Sequence, residues 1–289
     1  MDTQVRFTRL TPVLAVLAAA ALAAAQVALA QVLGLLELGG GFEAGAERGE
    51  GIGVTLLIWF CALSAPVAML LVRDASAWTR AITAVPAGLA TLAALPVARM
   101  YVGDVLADDV PRAVILGAGM SVVAALLVAR LTSAGLGIAL HAGLLWAVAV
   151  VASLVAATGV LWGTPTFFAG FVLDTFSDGL VLDVPLPGRT FGYFPQRSLV
   201  MIALLLAFTV VAPSMVVKRG GRWWEGVAVG FTGPFLAVAA YLADVDQLVM
   251  WNLDFLPLLA VLSVLGLVLT CVTVAVVTRK HGWGNGHTA

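Results

Sequence analysis

Eight long apolar stretches divide the chain, and the polar segments between them alternate in the sign of their charge. Counted with Glu225 at the start of the seventh stretch, the first, third, fifth, seventh and ninth segments hold ten of the fifteen Lys and Arg residues but only three of the sixteen Asp and Glu residues. Counted with Arg99 near the end of the third stretch, the other four segments hold thirteen acidic and five basic residues. Because basic loops stay on the cytoplasmic side of a membrane, this alternation predicts a polytopic membrane protein and its orientation.

The composition fits lipid better than water as the surrounding solvent. Apolar residues make up 62% of the chain and charged residues 11%, against roughly 45–50% and 25% in soluble domains. A soluble fold of 289 residues could not hide so much apolar surface, whereas a bilayer accommodates it. A net charge of −1 argues against nucleic acid as a partner. With two cysteines and no Cys/His metal spacing, the sequence predicts no metal or other cofactor.

We therefore predict an all-α fold, a single bundle of eight transmembrane helices with both termini inside. Most spans contain about twenty residues, enough to cross a hydrocarbon core of about 30 Å. Helices are expected because a lone lipid-exposed strand leaves its backbone unpaired. The amino-acid composition, which is rich in Ala, Val, Leu and Gly, favours a bacterial protein, and we therefore expect it in the bacterial cytoplasmic membrane. The predicted spans are 10–36, 52–72, 81–102, 113–129, 138–162, 198–217, 225–243 and 255–278.

The first span has an alternative interpretation. Arg6 and Arg9, an apolar run, and an Ala-Leu-Ala sequence before Gln31 resemble a cleavable signal peptide. Because the run is longer than the roughly 7–15 residues of a signal core, we expect an uncleaved first span. A mature N-terminus at Gln31 would leave seven spans and an external N-terminus.

The chain also suggests a parallel duplication of four plus four spans. The halves 1–132 and 133–289 would each begin inside, with a long first and a short second outer loop. Similar Leu-Ala-Asp segments, 106–110 and 242–246, precede the fourth and eighth spans. A duplication about an axis normal to the membrane would produce this pattern. The alternative is chance similarity within a simple set of residue types.

The spans contain few polar groups. No Asp, Glu or Lys lies near the middle of any span, which argues against a proton- or sodium-driven transporter with an internal carboxylate. His141 is the only span histidine, so one chain cannot form a bis-histidine haem site. We expect it one turn inside the fifth span, bonded to a carbonyl or water; the alternative is a proton or metal site. Gln26 and Gln31 are expected to hydrogen-bond to neighbouring helices.

The seventh span is a candidate substrate or gating element. Gly226 and Gly230 form a small-xxx-small face that permits close helix contact. Thr232, Gly233 and Pro234 could interrupt the helix near mid-membrane, where loose carbonyls and helix ends bind substrates in transporters. The alternative is a kink that improves packing.

Arg99, near the outer end of the third span, is a second candidate. An arginine there can extend its guanidinium to the headgroups. It could also pair with Asp104, Asp108 or Asp109 in the following loop. The alternative is a site for an anionic lipid or substrate.

The loop 163–197 is too long for a simple connector and holds six of the thirteen phenylalanines. Its first part, residues 166–178, has the spacing of a helix lying on the outer membrane surface. The functional interpretation is a lid or a docking surface, and the alternative is a cap that seals the bundle. The candidate residues, with aromatic and acidic side chains on different faces, are Phe168, Phe176, Asp174 and Asp178.

Three function classes fit these features. The first is a transport or permease-type component for a neutral or lipidic substrate, without its own energy-coupling site because no nucleotide-binding loop is present. The second is a non-catalytic scaffold subunit of a larger membrane complex. The third, an outer-face enzyme on lipid-linked substrates, would use Asp174 or Asp178 as a base and Arg189 or Arg197 as a clamp. Expected partners are membrane lipids and other membrane subunits or an ATPase.

Overall fold

The computed structural model describes residues 2–33, 36, 38, 46–103, 106–157, 196–243 and 256–284. This part of the chain is almost entirely helical and contains no strand. The all-α class is therefore confirmed. The predicted interfacial helix at 166–178 lies outside the described residues.

Nine α-helices and two short 3-10 turns make up the described chain. One turn, Met69–Val72, extends the second helix, and the other, Thr91–Ala93, joins the third helix to the fourth. A helix or helix pair thus lies at each of the eight predicted stretches. The helices are α1 Asp2–Val32, α2 Ala46–Ala68, α3 Ala77–Ala90, α4 Ala94–Arg99, α5 Asp109–Arg130, α6 Thr132–Ala157, α7 Gln196–Lys218, α8 Trp223–Ala243 and α9 Leu256–Gly284.

Several of these helices suit a membrane. By length and composition, four helical segments in the described part of the chain could cross one. Two shorter apolar stretches, Thr132–Ala147 and Ala207–Lys218, belong to α6 and α7. The four segments are Leu10–Val32, Gly53–Val72, Ala77–Arg99 and Asp109–Arg130.

The outward faces of the helices are apolar. Water would penalise such a surface by about 25 cal/mol per Å², and soluble monomers rarely expose apolar patches beyond a few hundred Å². The exposure pattern is therefore compatible with a bundle covered by lipid chains. Large exposed apolar side chains include Leu10, Leu14 and Leu17 on α1, Ile82, Val85 and Leu89 on α3, Ile115, Leu116 and Val123 on α5, and Val264, Val268 and Val272 on α9.

Helix α2 lies at the centre of the bundle. Every side chain from Thr55 to Pro66 on it is buried, because α2 packs against α1, α5, α6 and α8. On α1, the buried residues Ala15, Ala19 and Ala23 repeat at four-residue spacing. These small side chains lie on one face and allow α2 and α3 to pack closely on α1.

Glycines bring the backbones of α2, α3 and α5 into direct contact. A Cβ added to Gly117 of α5 would lie 2.6 Å from the Cβ of Cys61 and 2.6 Å from the carbonyl oxygen of Ile58. A Cβ added to Gly88 of α3 would lie 2.6 Å from the Cα of Val122. Because real Cβ atoms do not approach so closely, only glycine fits at these two positions.

By their contacts the helices form two groups, α1–α5 and α6–α9, and each group covers four of the predicted spans. In both groups the first span packs on the third, the second on the fourth, and the third on the fourth. The groups meet mainly through α2 and α5 on one side and α6 and α8 on the other. A twofold axis would also bring α1 and α3 against α7 and α9, and no comparable contact joins these described helices. The contacts between the two groups are therefore asymmetric, and the predicted duplication about a normal axis stays a prediction.

Of the two interpretations of the step from Thr232 to Pro234, an interruption is not found, because helix α8 runs unbroken through Pro234. The alternative, a proline accommodated by helix packing, remains. The third span instead changes to a 3-10 turn at Thr91–Ala93. Its cause is Pro96, which lacks an N–H and whose ring clashes with the carbonyl four residues earlier, that of Leu92.

We expect Gly117→Ala to destabilise the protein, because overpacking a tight contact costs about 1–3 kcal/mol. Gly119, on the same helix, is the matched control: a methyl group there would meet nothing within 4 Å. Gly119→Ala should be neutral or stabilising by up to about 1 kcal/mol, from helix propensity. Thermal unfolding in detergent checks both variants. If Gly117→Ala were as stable as Gly119→Ala, the α2–α5 contact described above would be wrong.

Candidate functional site

The candidate glycines of α8 lie in close helix contacts. A Cβ added to Gly230 would lie 2.7 Å from Cγ2 of Thr270 on α9 and 2.9 Å from Cγ of Pro213 on α7. A Cβ added to Gly233 would collide with the side chain of His141 on α6. Both glycines thus serve packing, and neither leaves room for a ligand beside its own Cα.

Thr232 connects α8 to α6. Its Oγ1 lies 3.0 Å from the carbonyl oxygen of Ala134 on α6 and 2.8 Å from that of Ala228 on its own helix. A hydroxyl has one proton, so the two acceptors share it. Gly137 allows this approach, since a Cβ there would lie 2.8 Å from Thr232 Oγ1. The hydroxyl of Thr232, a candidate substrate contact, therefore bonds α8 to α6.

Helix α7 also contains a carbonyl freed by a proline, and this carbonyl has a partner. Pro213 has no N–H, which frees the carbonyl of Thr209 four residues earlier. The buried hydroxyl of Thr270 on α9 donates to that oxygen at 3.3 Å. Since lipid supplies no donor, this bond stabilises α7 against α9.

His141 lies deeper than the sequence predicted. Leu131 alone separates α5 from α6, and α6 begins at Thr132. At 1.5 Å per residue, His141 therefore lies about 14 Å from the start of α6 along the helix axis. The imidazole is 2% exposed and lies edge-on to the Phe208 ring, with centroids 5.4 Å apart. Its Nε2 has no hydrogen-bond partner among the described residues. The expected interfacial histidine is therefore a buried one.

Three neutral polar side chains from both halves meet beside an aromatic ring. We call this group the junction cluster, and its members are Gln26, Ser64, Trp146 and Phe60. Gln26 Nε2 donates to Ser64 Oγ at 2.9 Å, and Trp146 Nε1 donates to Gln26 Oε1 at 3.0 Å. Ser64 Oγ donates to the Phe60 carbonyl at 2.6 Å. The Phe60 and Trp146 rings stack with centroids 5.3 Å apart. The cluster joins α1 and α2 of the first half to α6 of the second.

The sequence predicted only part of this cluster. The expected bonds from Gln26 to neighbouring helices are confirmed, whereas Oε1 of Gln31 is buried without a hydrogen-bond partner among the described residues. Ser64 and Trp146 were missed. The one available signal was that Trp146 lies inside a span, although membrane tryptophans concentrate at the interfaces.

A second buried polar position is the 3-10 turn of the third span, which packs on α1. The Thr91 hydroxyl donates to the Gly88 carbonyl at 2.7 Å. The thiol of Cys61 on α2 lies 3.9 Å from the Thr91 carbonyl oxygen, as a weak donor. The turn thus presents backbone polar groups that neighbouring helices contact directly.

The structure describes one of the remaining candidates. Arg99 is exposed at the end of α4, as expected for a side chain reaching the headgroups. Within the described residues it forms no ion pair with Asp108 or Asp109, and Asp109 lies 3.7 Å from Arg112 instead. Asp104, Phe168, Phe176, Asp174 and Asp178 lie outside the described residues.

The described residues contain no group of three or more His, Cys, Asp or Glu side chains that could hold a metal ion. Comparison of the chain with protein-family models, with curated proteins and with solved structures found no match. Function therefore has to be inferred from the packing and chemistry of the described helices.

We expect Gln26 and Trp146 to be energetically coupled. A double-mutant cycle of Gln26→Leu and Trp146→Phe should give about 0.6 kcal/mol, and at most about 1.7, as for other hydrogen bonds between membrane helices. Trp146→Phe keeps an aromatic ring against Phe60 but removes the N–H donor. Unfolding in detergent mixtures followed by circular dichroism measures the cycle.

The control pairs Gln26→Leu with Trp59→Phe. Trp59 also contacts Phe60, with ring centroids 5.4 Å apart, but is not in the hydrogen-bonded chain. The two effects should add within about 0.3–0.5 kcal/mol. Equal coupling in both cycles would mean that the Gln26–Trp146 bond does not form.

Proposed function

We propose that the chain is an eight-span protein of a bacterial cytoplasmic membrane, with both termini inside. Its last four helices, α6 to α9, contain 26, 23, 21 and 29 residues, against the roughly twenty that a span requires. The alternation of loop charge supports the orientation.

We also propose that the two halves arose by duplication. The same pairs of spans pack together in each half. An Ala-Pro step occurs late in the second helix of both, at Pro66 and Pro213, and basic residues and a tryptophan, Trp78 or Trp223, follow.

Within this architecture, we propose a permease-type component that moves a neutral or lipidic substrate along the junction between the halves. The observation that carries the proposal is the junction cluster, in which uncharged donors and acceptors from both halves close on one another inside an apolar bundle. Such groups can exchange their mutual hydrogen bonds for bonds to a neutral ligand. They offer no charge for an ion.

The junction is a better route for a substrate than the middle of α8, because side chains of neighbouring helices occupy the space beside Gly230 and Gly233. The third span, which changes to a 3-10 turn at Thr91–Ala93, also fits this proposal, because interrupted helices mark transporter sites. Energy would come from a partner such as an ATPase.

The close packing supports a second candidate, a non-catalytic scaffold subunit. Gly88, Gly117, Gly230 and Gly233 all lie against neighbouring helices, and a bundle held so tightly suits a static role. Co-purification of the native protein followed by mass spectrometry would identify the partner subunits that this role requires.

Transport predicts that the junction opens. In a Cys61→Ala, Cys271→Ala background, we expect Ser64→Cys to react with a small, membrane-impermeant thiol reagent in inside-out or right-side-out vesicles. Ser64 is fully buried in the closed bundle, so labelling requires the halves to separate. Labelling is measured by mass spectrometry of the purified protein.

Ser121→Cys is the matched control. Ser121 is equally buried, and its hydroxyl accepts the backbone N–H of Ala65 at 3.3 Å within the first half. Ser64 differs because Gln26 connects it to Trp146 of the second half. It should stay unlabelled while Ser64→Cys reacts. If both positions stay inert from both sides, transport through the junction is excluded and the scaffold role is favoured.

A further inference from the structure

Three helices of the second half meet near one end of the bundle. A Cβ added to Gly226 of α8 would lie 2.9 Å from Cγ2 of Val217 on α7 and 3.0 Å from Cγ2 of Val274 on α9. Gly226, Val217 and Val274 therefore mark one level in the bundle. Helices α7 and α9 run towards the nearby end, and α8 runs away from it.

Five basic side chains lie just beyond this level, and we call them the basic cluster. The first is the last residue of α7, the second follows it in the turn, and the third directly precedes α8. The other two lie on α9, beyond Val274. At 1.5 Å per residue, each backbone position is within about 9 Å of the level of Gly226 along its helix axis. All five side chains are exposed. They are Lys218, Arg219, Arg222, Arg279 and Lys280.

Ion pairs among the described residues do not neutralise the basic cluster. Glu225, the acidic residue in the first turn of α8, uses Oε2 to accept the backbone N–H of Arg222 at 3.0 Å. The ion pairs found in the described part of the chain, Arg73–Asp74 and Arg112–Asp109, involve none of the five cations. Like charges held this close favour an anionic ligand.

Aromatic residues place the cluster at headgroup level. Trp223 is 63% exposed at the start of α8, as expected for a ring at the membrane–water boundary. The Arg222 guanidinium carbon lies 5.9 Å from the ring centroid of Trp224, which holds that cation in place. Arginine also offers two parallel donors to a phosphate.

The corresponding end of the first half differs. Arg80 turns inward, with Nε 2.9 Å from the Ala129 carbonyl oxygen and NH1 2.9 Å from those of Arg73 and Ala75. Arg73 lies 3.5 Å from Asp74. Arg80 and Arg73 thus have partners within the protein, whereas none of the five cations of the basic cluster forms an ion pair among the described residues.

From this geometry we infer that the basic cluster binds the phosphate headgroup of an anionic phospholipid in the cytoplasmic leaflet. The inference rests on the proposed orientation but not on transport. The apolar side chains of α9, exposed above the cluster, provide a surface for the acyl chains; Val272 and Val276 are 53% and 48% exposed. Val272, Val276 and Lys280 follow one another at four-residue spacing and so share one face of α9, which links the acyl-chain surface to the basic cluster.

The test titrates the purified full chain, in neutral detergent, with short-chain phosphatidylglycerol and follows the thermal transition. The wild type should bind phosphatidylglycerol and not phosphatidylcholine. Lys218→Gln, Arg219→Gln and Arg279→Gln combined should weaken binding roughly a hundredfold, given about a fivefold effect for each basic residue. Inorganic phosphate at the same concentration should produce no shift.

The matched control is Arg73→Gln with Arg130→Gln, which removes exposed cations at the same membrane level in the first half. Its affinity should stay within about twofold of the wild type. Should the triple variant fail to fold, Arg279→Gln alone should weaken binding about fivefold, and Arg279→Lys should restore it.

Equal affinity in the cluster and control variants would overturn the inference. So would equal binding of phosphatidylcholine, or a shift with inorganic phosphate alone. Transport and lipid binding can fail independently, because this titration does not depend on opening of the junction, and thiol labelling at Ser64 does not depend on the basic cluster.

Discussion

A polar group carried into lipid by a helix has to find its partner inside the protein, because the hydrocarbon offers none. This constraint explains the cross-helix bonds in the described bundle. The carbonyl freed by Pro213 accepts the Thr270 hydroxyl, and the Gln26 amide is satisfied by Ser64 and Trp146. Polar atoms thus select which helices meet, although apolar side chains form most of the buried surface.

Small residues let those bonds form. A hydroxyl or amide reaches a neighbouring backbone only if the helices approach closely, and Gly117, Gly137 and Gly230 permit that approach. In the proposed duplication, corresponding helices have different surroundings, because the contacts between the two groups are asymmetric. Span two is central in the first half, whereas its counterpart α7 packs mainly on α8 and α9. A proposed transport route at the junction would therefore be asymmetric.

The sequence predicted the helical class and the approximate helix positions, because apolar run length and charge are local properties of the chain. It also predicted that Gln26 would bond to a neighbouring helix. The sequence left open whether the step from Thr232 to Pro234 interrupts its helix, since local sequence does not say which proline a helix tolerates: α8 stays helical through Pro234, whereas the third span changes geometry before Pro96.

The burial of individual side chains and their long-range contacts could not be predicted from the sequence either. The burial of His141 follows from its contacts with Phe208 on α7 and Gly233 on α8, which a hydropathy pattern does not reveal. Ser64 and Trp146 belong to the junction cluster through contacts with a residue far away in the chain. Such pairings depend on how the helices are arranged, and residue spacing carries little information about that.

The most direct test of the architecture is thiol labelling of intact cells with a membrane-impermeant maleimide. Single cysteines would replace Glu43, Asp178 and Asp74 in a chain without Cys61 and Cys271. Eight spans with internal termini predict that positions 43 and 178 react in intact cells, and that position 74 reacts only after the membrane is permeabilised. Labelling at 74 from outside, with 43 and 178 reachable only from the cytosol, would contradict the arrangement.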